Sequence, residues 1–124
     1  MQWGDPSAIL TDMNTTTTTQ YAFYHIEWWD TRTGQEVLFT ALEAMGATDG
    51  CHVYNPEALA CEGDTYGEMD IFFSVPVASF DAYNDGVDAI RWAGLRVKTA
   101  MFLEGDKATA TGTLDDVWRK WDEV

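Results

Sequence analysis

His25 and Glu27 stand two residues apart in the run YAFYHIEWW at 21–29, a spacing that puts both side chains on one face of a strand. An imidazole beside a carboxylate is material for general base catalysis, and Phe23 and Trp29 on the same face would line a pocket around it. Contact between residues i and i+2 on a strand is loose and no nucleophile is marked nearby, so a wetted strand face is the preferred reading. Cys51, His52 and Cys61 offer soft metal ligands, but two adjacent residues and a distant third lack the paired knuckle of zinc frameworks. Two ordinary reduced thiols are expected, with no metal and no cofactor. The loop EGDTYGEMD gathers Glu62, Asp64, Glu68 and Asp70, oxygen donors that suit a hard cation. Their spacing does not follow the EF-hand loop, and a solvated acidic loop is expected. Neither GxxxxGK[ST] nor GxGxxG occurs, which removes the common phosphate-cradling and dinucleotide motifs.

The sharpest pattern is Asp81, Asp85 and Asp88. Spacings of four and three place them on one helix face, where like charges repel by a few tenths of a kcal/mol, roughly, per pair. A rise of ~1.5 Å per residue carries the carboxylates along the helix in steps of ~6 and ~4.5 Å. A DNA strand presents one phosphate per ~3.4 Å of axis, a similar scale.

These residues need elements to hold them. In 21–29, Ala22, Tyr24, Ile26 and Trp28 alternate with Tyr21, Phe23, His25, Glu27 and Trp29, a strand with one apolar and one mixed face. Thr33 and Glu36 form a capping box, and Val37, Leu38, Ala41, Leu42 and Met45 follow at helical spacing up to a stop at Gly46. A rival reading makes DTRTG a hairpin turn, but the apolar spacing persists too far for it. Cys51 to Tyr54 reads as a short strand, and Asn55-Pro56-Glu57 as a capped helix start with a short helix ending near Gly63. Met69 to Val77 alternates as a strand. Ser79 caps a helix carrying Phe80, Tyr83, Val87, Ile90 and Ala93, stopped by Gly94. Leu95, Val97, Thr99, Met101 and Leu103 alternate with Arg96, Lys98, Ala100 and Phe102, a further strand. Gly105-Asp106 suits a tight turn into a short strand at 107–111. Thr113 caps a last helix with Leu114, Val117, Trp118 and Trp121 on one face. The expected fold is a single small α+β domain over 20–124, with a mixed or antiparallel sheet of about four strands and helices mainly on one face. Residues 1–19 read as a loose N-terminal arm.

The chain has 124 residues, 46% of them apolar and 14% aromatic, enough for a real core and an argument against global disorder. No run approaches the ~20 apolar residues of a membrane span, and the acidic start MQWGDPSAILTDMN lacks the basic region of a secretory leader, so a cytoplasmic location is expected. Net charge is −14, unevenly spread: residues 33–90 hold eleven acids and no base, whereas 91–124 hold six of each. An ordinary acidic domain intersperses Lys to relieve self-repulsion. Direct nucleic-acid and anionic-membrane binding are disfavoured, since both need clustered cations. A basic protein surface, such as the groove of a nucleic-acid-binding protein, is the favoured partner.

The expected partner surface is Asp81, Asp85 and Asp88 with Glu57, Glu62, Asp64, Glu68 and Asp70. In size and charge, though in no motif, the chain resembles small viral or mobile-element inhibitors of restriction and CRISPR systems, which occupy such grooves as nucleic-acid mimics. That resemblance implies a binder rather than an enzyme, acting in the cytoplasm of a host cell. The alternative is a halophile-adapted small enzyme or ligand-binding domain, its acids serving solvation and its pocket formed by Phe23, His25, Glu27 and Trp29.

Overall fold

The computed structural model describes residues 20–47, 50–63, 69–104 and 112–122, with the side chains of Lys120 and Trp121 excepted. The expected N-terminal arm, the 107–111 strand and the Trp121 side chain therefore lie outside the described residues. Among the described residues four strands form one antiparallel sheet: β1 (Gln20–Trp28), β2 (His52–Val53), β3 (Met69–Val77) and β4 (Arg96–Glu104), in the order β2-β3-β1-β4. The helices are α1 (Gly34–Met45), a 3₁₀ helix (Pro56–Ala60), α2 (Phe80–Trp92) and α3 (Leu114–Asp122). This is a single α+β domain.

Period-two patterning puts β1 at the centre, because both of its faces are buried. Ala22, Tyr24, Ile26 and Trp28 pack with Ile71, Phe73 and Val75 of β3 under Val37, Leu38 and Ala41 of α1, Val87 and Ile90 of α2, and Ala58 of the 3₁₀ helix. Tyr21 and Phe23 point the other way and pack with Met101, Leu103 and Val117, the last from α3. Two helices and the 3₁₀ turn thus cover one face, and the short α3 covers one end of the other.

Local chemistry sets the helix ends. The Thr33 hydroxyl accepts from the Glu36 amide at 3.3 Å, and the Glu36 carboxylate accepts from the Thr33 amide at 2.8 Å, so both halves of the capping box form. Gly46 closes α1 in the left-handed region with φ 70°, a conformation that costs glycine little. Ser79 caps α2 by accepting from the Ala82 amide at 3.1 Å. Thr113 and Asp116 cap α3 reciprocally, at 3.2 and 3.0 Å.

Two local expectations are corrected. Asn55 makes no side-chain cap. Its amide instead donates to the Asp70 carbonyl at 3.0 Å and accepts from the Phe72 amide at 2.9 Å. It stands in for a strand residue after β2 has ended, satisfying β3 backbone groups that would otherwise lack a partner on that side. β4 does not keep the uninterrupted alternation read from its sequence. Its register against β1 slips between His25 and Ile26, so that Ile26 opposes Val97 and His25 opposes Thr99, leaving Lys98 as the extra residue of a bulge. Leu95 and Val97 consequently pack on the α1/α2 side, whereas Met101 and Leu103 pack on the α3 side.

Candidate functional site

α2 turns Gly86, Val87 and Ile90 into the core. At about 100° per residue, the direction opposite those three is occupied by Asp81, Asp85, Asp88 and Trp92, which share a sector of about 60°. All four are exposed, Trp92 to 89%. The structure therefore brings the three predicted aspartates into one line and adds an aromatic residue at its end. Sequence reasoning missed Trp92, although the series 81, 85, 88, 92 (steps of four, three and four) continues the same stripe. Asp81 lies in the first turn, where the helix dipole favours it, and Asp88 lies beyond that help.

The remaining predicted acids divide. Glu57 on the 3₁₀ helix and Glu62 just after it are exposed, and Asp64 and Glu68 lie outside the described residues. Asp70 is on the other side of the sheet, where its Oδ1 accepts a 2.8 Å hydrogen bond from His25 Nε2. That bond runs diagonally, since His25 opposes Phe72 and Glu27 opposes Asp70.

The charge balance around the stripe follows from where the cations are held. Arg32 makes a forked pair with Asp30 at 2.9 and 2.5 Å, and its hydrogen bonds hold the Asp30 carboxyl below the usual carboxylate range. Arg96 and Lys98 both reach Glu27, at 3.6 and 3.3 Å. Arg119 pairs with Asp116 at 2.8 Å. Among the described residues, Glu43, Glu57, Glu62, Asp81, Asp85 and Asp88 have no such ion pair. Arg91, at the end of α2, is the basic residue of its last turn.

The four residues of the alternative pocket have different surroundings. Phe23 is fully buried against Tyr54, Phe72 and Trp118. His25 stacks on Phe72 with ring centroids 4.2 Å apart. Glu27 is 4% exposed beneath its two cations. Trp29 is half exposed, with the Arg96 guanidinium 5.6 Å from its ring centroid. Glu27 and Trp29 do border a small cleft of about 140 Å³, together with Asp30, Arg32 and Arg96. Its charges already neutralise one another in the pairs given above.

Neither thiol is in a disulfide. Burial pushes the Cys51 thiol up from 9.0 to about 11, and the Cys61 Sγ–H lies 3.5 Å from the Glu57 carbonyl. Among the described residues no three His, Cys, Asp or Glu side chains converge as a metal site, and no helix is long and apolar enough to cross a membrane.

Comparison with known proteins gives no lead: no family model, curated protein or solved structure matches the chain.

Proposed function

We propose that the protein is a small acidic binder whose α2 stripe occupies the basic groove of a nucleic-acid-binding protein, in the manner of a nucleic-acid mimic. One observation carries this reading. Asp81, Asp85 and Asp88 form an exposed line without ion-pair partners among the described residues, diametrically opposite the buried face of α2. Most described cations are meanwhile held by Asp30, Glu27 and Asp116. Negative charge is thus presented at regular intervals on a rigid element, the form in which a phosphate backbone is presented. Trp92 supplies an exposed aromatic of the kind that anchors protein interfaces. In this reading the protein inhibits by blocking access, needs no cofactor, and acts in the cytoplasm of a cell invaded by a virus or mobile element.

The test is capture on the immobilised chain from an extract of the cells in which it occurs. Retained proteins are then challenged separately with salt and with duplex DNA or RNA. The expected result is a nucleic-acid-binding protein displaced by the nucleic acid and not retained by the D81N/D85N/D88N variant. A partner that nucleic acid fails to displace, or that the variant holds equally well, overturns the proposal.

A further inference from the structure

α1 and α2 do not close against each other along their outer edge. Between them runs a groove of about 280 Å³, lined by Ala44 and Met45 of α1 and by Ala82, Asp85, Gly86 and Ala89 of α2. The groove exists because its walls are small. At Gly86 the floor is closely packed, since an added Cβ would lie 2.5 Å from the Tyr24 hydroxyl oxygen and 3.2 Å from the Met45 methyl. The alanines on either side leave the walls low. Asp85 is the charged residue of the lining, exposed and without an ion pair among the described residues. Asp81 and Asp88 flank it along the helix. The result is a trough of mixed polar and apolar lining, with one carboxylate at its lip and a negative field around it.

We propose that this groove is the docking slot for an arginine side chain of the basic partner, a reading that rests on the function proposed above. The occupant is argued from charge complementarity and shape. A long side chain with an apolar stem and a cationic head fits a trough whose floor is methyl and thioether and whose lip is a carboxylate. Arginine is preferred to lysine because the guanidinium is more weakly hydrated and pairs with a carboxylate through two parallel hydrogen bonds. The stem lies on Ala44, Met45, Ala82 and Ala89, and the guanidinium pairs with Asp85. The slot would turn a diffuse attraction into a registered contact, fixing where along the stripe a partner's cations fall.

The test fills the slot without changing charge. The isotopically labelled full chain is titrated by NMR with a capped glycine–arginine–glycine peptide, with the lysine analogue as comparison. The expected result is shifts centred on Ala44, Met45, Gly86 and Ala89. Affinity should fall at least fivefold in Ala44→Leu and in Asp85→Asn, and the lysine peptide should bind several-fold more weakly. Ala44 is exposed, so its variant should fold; Ala89→Leu fills the slot from the other wall and repeats the measurement. Shifts spread evenly over the acidic residues, full affinity in both filled variants, or equal binding of the lysine peptide each overturn the slot. If the filled variants keep full affinity for the captured partner while D81N/D85N/D88N loses it, the slot fails and the mimicry reading stands. If the triple variant also keeps the partner, that reading fails as well.

Discussion

Asn55 shows how much one side chain can carry in this fold. Its amide bridges Asp70 and Phe72 as a peptide group would, half-buried two residues after the end of β2. A buried hydrogen bond contributes about 1 kcal/mol net, so Asn55→Ala should cost about 2 kcal/mol, while Asn55→Asp keeps only the acceptor and should not restore the loss. Urea unfolding of the two variants measures this, and an Ala variant as stable as the parent would remove Asn55 from the sheet's support. Cys51 offers a second residue-level prediction. With its thiol raised to about 11 by burial, little thiolate exists near neutrality, and the thiolate is the nucleophile. Alkylation of Cys51 in the native chain should be far slower at pH 8 than in the urea-unfolded chain, and should accelerate as pH rises towards that value. The sign for stability follows: the folded state holds this proton more tightly than the unfolded state, so the contribution is complete below pH 9 and is lost as pH rises through about 11.

At the scale of elements, α3 is the most separable piece. Among the described residues it is the one helix on its face of the sheet, and it buries Val117 against Tyr21, Phe23, Met101 and Leu103, with Trp118 edge-on to Phe23 at 5.7 Å. Val117→Asp puts a charge without a designed partner into that contact, a change that costs several kcal/mol, roughly, if the helix stays docked. Undocking is the cheaper response. The expected outcome is increased binding of a hydrophobic dye and loss of near-ultraviolet signal from Trp118, with the far-ultraviolet strand signal kept. Complete unfolding would instead make α3 integral to the whole core. The elements themselves were legible where periodicity and capping agree: β1 and β3 from period two, α1 from its capping box, α2 from Ser79. β4 was legible as a strand, but the facing of its residues was not, because a bulge at Lys98 reverses it without changing their types. The role of Asn55 was hidden by the same residue's aptitude for helix caps. In the candidate site, the three aspartates were readable from spacing along one helix. The groove beside them was not, since Ala44 and Ala89 meet only after two helices have packed.

For the whole molecule the governing quantity is charge. A net charge of −14 opposes compaction, and the opposition is concentrated where acids lack partners. Asp85 and Asp88 follow Asp81 on one face of α2, exposed and beyond the part of the helix where its dipole helps most. Replacing both with Asn, and leaving Asp81 in place, should therefore raise stability by roughly 0.5 kcal/mol at low ionic strength, the scale of one or two like-charge helix pairs. The gain should vanish towards 1 M salt, where the screening length falls to about 3 Å. Binding should move the other way: the same variant should hold a basic partner less tightly, and the parent's affinity should itself decline as salt rises. Opposite signs for stability and affinity distinguish a surface kept for a partner from acids kept for the fold. A halophilic chain would behave differently, since its parent form would lose its structure as salt is withdrawn. Thermal melts of parent and variant across a salt series, run beside binding at the same ionic strengths, separate these cases. A variant less stable than the parent at low salt would mean that Asp85 and Asp88 support α2 itself, and its weakened binding could then no longer be assigned to the surface.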